Sequence, residues 1–353
     1  MAPAVWLDRL ENTMSESMHA GRAASVGTFG ASDAVELVVA ERSGFVESRH
    51  VGSAIVLGPD GERMLSLGDP GAAILPRSAL KPLQAVASLS AGAALDSEQL
   101  ALCTASHAGT PEHLAVVRRT LTASGLDDSA LRCPPALPAD HAARDEVLRS
   151  GGAAAPVFME CSGKHAGMLA ACVANGWTID DYTDPRHPLQ QHAKDVVERL
   201  TGEKIVHTAV DGCGAPVFAI TLTGLARGIQ RMATASERSP FALYRNAALV
   251  HRSARRHPWA ISGRGRPDTV VMETLGAYAK AGAEGVMTIA AGDGTTVAVK
   301  VLDGSVPAAR VAAVELLASV GAVERETANV ALERMNTAIL GGGVPVGRLA
   351  PAV

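Results

Sequence analysis

Pro76-Arg77-Ser78-Ala79-Leu80-Lys81-Pro82 is a Ser-x-x-Lys stretch whose types and spacing could make an activated nucleophile. Leu83, Val86, Ala87 and Leu89 follow at helical spacing and Gly92 ends the run, which predicts Ser78 at a helix N-terminus with Lys81 one turn on. Positions i and i+3 share a helix face, so the hydroxyl and the amine can meet. A neutral lysine can then take the serine's proton, and the helix dipole favours the negative charge that develops. Pro82 suits a first turn, where its missing N–H breaks no bond. The same residues also describe a serine cap followed by a surface lysine.

Other stretches offer partners. Ser106-His107-Ala108-Gly109 sits in a tight connector, where the serine is either a relay hydroxyl or a turn residue. Cys161-x-x-Lys164-His165 and Asp211-Gly212-Cys213-Gly214 each lie at a predicted strand end, where folds commonly hold ligands. Two cysteines with a histidine and an aspartate nearby could bind zinc; without a Cys-x-x-Cys they are equally buried small hydrophobes. Gly163-Lys164 is no P-loop, because Phe158 stands where that motif's first glycine belongs. Arg264-Gly265-Arg266-Pro267-Asp268 is either a carboxylate fork or a solvated loop. Lys280, ahead of Gly282 and Glu284-Gly285, could enter a strand and reach Ser106, or could end a helix at its negative pole.

These residues need a scaffold. β-rich runs over 35–41, 51–57 and 64–67 read as an antiparallel meander. Helices follow: one from Asp96 or Ser97 to Leu102, one capped by Thr110 and closed by Gly125, and one over Asp140–Arg149. A turn at 161–165 opens a helix ending near Gly176, with Cys172, Met168 and Leu169 on its apolar face, and another covers about 188–200. Residues 204–210 are extended, long helices run over roughly 216–232 and 240–256, and a helix reaches Lys280. Strands return over 285–291 and 295–302 around Gly292-Asp293-Gly294, a hairpin signal, before a helix over 307–320 and a Gly- and Pro-rich end. The expected fold class is α+β: one antiparallel sheet from both termini, packed with helices and carrying a helical insert. Residues 1–33 are expected to be a weakly ordered leader. Residues 34–353 form one domain, with its sheet over about 34–75 and 284–353 and its helical region over about 76–283.

Composition narrows the class. The chain has 353 residues, 47% of them hydrophobic, enough for a large core, and only 3% aromatic, so that core packs through small side chains. A net charge of −4 without a long basic run argues against nucleic acid. No apolar run approaches the ~20 residues of a membrane span. Asp8, Arg9 and Glu11 stand where a signal peptide would be apolar, and five scattered cysteines suit a reduced compartment, so a cytoplasmic protein is expected.

Seven stretches in order resemble the bacterial asparaginase II family, the Rhizobium-type (class 3) L-asparaginases. They are Arg42-Ser43-Gly44-x-Val46-Glu47-Ser48-x-His50, Pro76 to Pro82, Ser106-His107, Glu160 to His165, His187-Pro188-Leu189-Gln190, Asp211 to Gly214, and Lys280-x-Gly282-x-Glu284-Gly285. The resemblance covers about 35–350. It implies hydrolysis of L-asparagine to aspartate and ammonia, a fold similar to serine β-lactamases and glutaminases, and a homodimer. It implies two Ser-Lys pairs, Ser78 with Lys81 and Ser106 with Lys280. It also implies zinc on Cys161, Lys164 and Cys213, and substrate contacts from Arg77, His165, Asp211 and Glu284. Ser78 is then the expected nucleophile and Lys81 its base. Three alternatives stand beside this. A glutaminase would use the same groups. A β-lactamase would add Ser-Asp-Asn and Lys-Thr-Gly, both missing from the chain. A zinc- or amino-acid-binding protein would need no paired lysines.

Overall fold

The computed structural model describes residues 27–353. The leader expected over 1–33 lies largely outside the described residues. Its end is folded: Phe29 is buried in the main core and Ala31–Asp33 form a 3-10 turn.

The N-terminal meander is present as β1 (Val35–Arg42), β2 (Phe45–Leu57) and β3 (Arg63–Leu67), with a short β4 (Ala73–Ile74) after it. β2 starts well before the expected Val51. Its first half is exposed on both faces, so no apolar alternation marks it in the sequence. Six helices follow: α1 (Lys81–Ser90), α2 (Ser97–Cys103), α3 (Pro111–Ala123), α4 (His141–Arg149), α5 (Ser162–Asn175) and α6 (Pro188–Thr201). Asp96, Thr110 and Asp140 cap α2, α3 and α4 by accepting the amides of Gln99, His113 and Ala143.

β5 (His207–Val210) and β6 (Pro216–Thr221) come next, then α7 (Leu222–Thr234), α8 (Ala242–Arg256), α9 (Pro258–Ser262) and α10 (Pro267–Leu275). The chain closes with β7 (Tyr278–Gly282), β8 (Val286–Ala290), β9 (Thr296–Val301), α11 (Val306–Ser319), α12 (Arg325–Arg334), β10 (Ala338–Gly341) and β11 (Val344–Pro351).

The main sheet runs β10-β11-β1-β2-β9-β8-β7, antiparallel throughout, with β3 on the second half of β2. It draws on both termini as the sequence suggests: β2 pairs with β9, and β1 with β11. β8 and β9 are buried along their whole lengths, because α7 packs against them from one face and α11 from the other. A second small sheet, β4-β6-β5, lies among the helices. The larger apolar core joins the main sheet to α1, α6, α7, α8 and α11, and a smaller one sits among α2, α3 and α5. No helix among the described residues is long and apolar enough to cross a membrane.

Four expectations need correction. The helix over 216–232 is two elements: Pro216–Thr221 is rich in β-formers and pairs with β4 and β5, and the helix starts at Leu222. The helix expected to reach Lys280 ends at Leu275. Gly276 takes a φ of 60°, which a glycine adopts without strain, and Tyr278–Gly282 continue as strand inside the stretch expected to be helical. The Ser78 segment is a 3-10 turn, Arg77–Leu80, and the α-helix begins at Lys81. The C-terminal end forms α12 and the β10–β11 hairpin, neither marked by a strong apolar period.

Candidate active site

Two buried clusters lie side by side. In the first, the 3-10 turn carrying Ser78 abuts β7. A Cβ on Gly282 would stand 2.3 Å from the Pro76 carbonyl oxygen, so only glycine lets the strand and turn approach this closely. Arg77 is held at a φ of 50°, strained for an arginine, and its Nε donates to Asp211 Oδ1 at 2.7 Å.

Lys81 is fully buried and reaches past Ser78. Its Nζ donates to the Ala105 carbonyl at 2.6 Å and meets Ser106 Oγ at 2.9 Å. Lys280, from β7, meets the same Ser106 Oγ at 3.0 Å and donates to the Ala281 carbonyl at 2.6 Å. Both amines therefore converge on Ser106. Among the described residues the Ser78 hydroxyl bonds to neither lysine, so the expected Ser78–Lys81 contact is absent. In a 3-10 turn positions i and i+3 eclipse, so the turn itself does not part the two side chains; the long lysine chain instead satisfies the Ala105 carbonyl and the Ser106 hydroxyl. Burial, opposed by Asp268, pulls the Lys280 amine down to about 8 from its ordinary 10.5.

The Ser106 connector is strapped in place. Its N–H bonds to Ile261 O at 2.9 Å, and His107 N–H to Glu160 O at 3.2 Å. Burial drives the His107 pKa well below 6.5. The neutral ring accepts the Gly109 amide at Nδ1, so Nε2 carries the proton and donates to Ser162 Oγ at 2.8 Å, at the start of α5.

In the second cluster, α5 and the loop after β5 bring Cys161, Lys164 and Cys213 together, with Lys164 Nζ 3.2 Å from Cys213 Sγ. The Cys161 thiol, with Lys164 and His165, holds the Cys213 pKa far below its ordinary value. Cys213 and burial push Cys161 well up. Burial alone would lower Lys164, but the charges of Cys213 and Asp211 outweigh it and raise its pKa. His165 bonds through Nδ1 to Tyr182 Oη at 2.6 Å, and among the described residues its buried Nε2 has no hydrogen-bond partner. Burial lowers its pKa.

Tetrahedral zinc, with sulfur at ~2.3 Å and nitrogen at ~2.1 Å, would separate an amine from a thiolate by roughly 3.6 Å, a little more than the 3.2 Å between Lys164 Nζ and Cys213 Sγ. Among the described residues no three His, Cys, Asp or Glu side chains gather as a metal site, and the third donor here is an amine. Cys103, Cys133 and Cys172 are pushed to about 12 by burial and belong to the core.

Glu284 does not join either cluster. It sits exposed in the β7–β8 turn at a φ of 61° and, with Arg77, His207 and Lys300, lines a cavity of about 330 Å³. Sequence reasoning missed two contributors. Tyr182 lies in a polar stretch with no signal of burial. Asp268, expected in a loop, is buried in the first turn of α10 behind Lys280.

Among curated proteins, none matches the chain. The model of the L-asparaginase II family matches residues 38–351, nearly the whole chain and every stretch described above, so the chain belongs to the L-asparaginase II family of amidohydrolases.

Proposed function

We propose that this protein hydrolyses the side-chain amide of L-asparagine, giving L-aspartate and ammonia through a serine ester. The observation that carries this reading is the convergence of two buried lysine amines on Ser106, within 3.0 Å of its hydroxyl, beside the Ser78 turn. An amide needs a nucleophile, a base and a proton for the leaving nitrogen. Ser78 Oγ attacks the amide carbon, Lys81 takes its proton, and Ser106 relays a proton between the lysines to the departing ammonia. Water then attacks the ester, Lys280 accepting its proton, and Ser78 is restored. Backbone amides of the turn at Ser78 are the proposed oxyanion donors. Arg77 suits the substrate α-carboxylate, and Asp211 its α-ammonium, with His165 beside them. Glu284 bounds the cavity on the far side of Arg77.

Cys161, Lys164 and Cys213 are the residues proposed to hold zinc. When bound, the ion would shape the pocket and hold the polar end of the substrate through water, its Lewis acidity quenched by two thiolates. A homodimer and a cytoplasmic location complete the proposal, the first from the family resemblance and the second from the sequence.

A second reading has its own support: Ser106 is itself the nucleophile, because its hydroxyl already touches both amines. The test is ammonia release from L-asparagine and L-glutamine by wild type, Ser78→Ala and Ser106→Ala, with acid-quenched enzyme weighed for the ester. Loss of both turnover and ester in Ser78→Ala supports the first reading. Near-normal turnover in Ser78→Ala with loss in Ser106→Ala selects the second. No release from either amide by wild type, with or without added zinc, would leave a binding protein.

A further inference from the structure

We propose that Asp268 is a positioning residue for Lys280, fixing the strand that carries the amine and supplying it with buried negative charge. The inference rests on Lys280 acting as a proton acceptor in the reaction proposed above.

Asp268 is 3% exposed and stands in the first turn of α10, just ahead of β7. Its Oδ2 accepts the Ala281 N–H at 3.0 Å, and its Oδ1 accepts Arg310 Nε at 2.7 Å. Ala281 is thereby gripped at both ends, because its carbonyl accepts Lys280 Nζ at 2.6 Å. A buried carboxylate would ordinarily be driven towards its neutral form. Here burial does press that way, but Arg310, Lys280 and the Ala281 amide outweigh it and keep Asp268 ionised.

Lys280 feels several charges. Burial and Lys81 on α1 lower its basicity, while Asp268 on α10 and Glu160 raise it, and Cys161 at the start of α5 faces it as an uncharged thiol. Arg310 on α11 acts from behind Asp268. Arg77 faces Asp211 instead, and on α8 Arg255 binds the Gly276 carbonyl while His251 packs on Tyr278. Asp268 is the leading favourable charge, and it touches the strand directly. Without it, the Lys280 amine would hold a proton less tightly, and its midpoint would fall to lower pH.

The chain has only six lysines, so each gives a resolvable signal when the side chains carry carbon-13 at Cε. The experiment titrates full-length wild type, Asp268→Asn and the double variant Asp268→Asn/Arg310→Met by NMR. Lys280→Met assigns the signal, and the rate of ester breakdown is measured together with kcat across the same pH range. The double variant guards against misfolding, because it removes the arginine that Asp268→Asn strands. The Lys280 midpoint is expected to fall by about one pH unit in both variants, with the acid limb of ester breakdown moving alongside. A midpoint unchanged in both variants would overturn the inference, whatever happens to turnover. A midpoint that moves while the acid limb of ester breakdown stays in place would instead overturn Lys280 as the proton acceptor, and the positioning role with it.

Discussion

Lys280 and Lys164 are both buried lysines, yet their surroundings push them in opposite directions. Lys280 sits among a hydroxyl, a carbonyl and a second amine, and burial pulls it to about 8, where a neutral amine is accessible. Lys164 sits beside the Cys213 thiolate, which keeps it charged despite the same loss of water. Depth alone therefore does not decide what a buried lysine can do; the balance between burial and the summed neighbouring charge does. The first cluster is the one proposed to move a proton, and the second the one proposed to hold a metal.

The strongest test of that contrast is Lys280→Met. Turnover should drop by roughly 10²–10⁴-fold, the usual contribution of a positioned acid or base. Stability should move the other way. The unfolded amine titrates at 10.5 and the folded one at about 8, so below pH 8 the buried amine costs stability in the wild type. That cost is relieved as pH rises from about 8 to 10.5. Thermal melts should show the variant more stable by a few degrees at neutral pH, with the gap closing through that window. A variant that melts lower at pH 7 would break the comparison.

Gly282→Ala should come next. Its Cβ would meet the Pro76 carbonyl oxygen at 2.3 Å, displacing the Ser78 turn from β7. Misplacement of that size commonly removes on the order of 10²-fold in kcat, and metal retention should be untouched because the second cluster lies on α5 and the β5 loop. Cys213→Ser should give the mirror image. Zinc retained after dialysis should be lost, as read by elemental analysis, while KM rises by roughly tenfold and kcat changes little, the pattern of lost binding energy. Should kcat collapse with KM steady, the two clusters are one catalytic unit. The smallest effect is expected for Tyr182→Phe, which leaves His165 Nδ1 without its 2.6 Å partner. About 1–2 kcal/mol of stability should go, seen in denaturant melts, with turnover within a few-fold of wild type.

Much of this was readable before the fold was known, and the exceptions have physical causes. Ser78 and Lys81 share a helix-start pattern, and the caps at Asp96, Thr110 and Asp140 follow from side-chain chemistry that local sequence carries. What Lys81 touches did not follow, because a four-carbon side chain chooses among partners supplied by distant segments. Ser106 is contributed by a connector 25 residues away. Lys280 was placed at a helix end because the apolar run from Pro267 continues through Ala277–Ala281. The glycine that breaks it at 276 sits in a stretch with several small residues. Asp268 looked like a loop acid because burial of a carboxylate depends on Arg310 and the Ala281 amide, which only the closed sheet brings to it.

β7 has a consequence for the protein's behaviour in a crowded solution. It is the last strand of the main sheet, and the free side of such a strand is a template on which another chain can pair. Here the Ser78 turn presses against the strand at Gly282, while Asp268 takes the N–H of Ala281 and Lys280 its carbonyl. The groups proposed to serve the reaction thus also blunt the sheet. A substitution that loosened them would free an apolar, fully buried strand for self-association, so some inactive variants of this enzyme should be recovered as aggregates rather than as folded, silent protein.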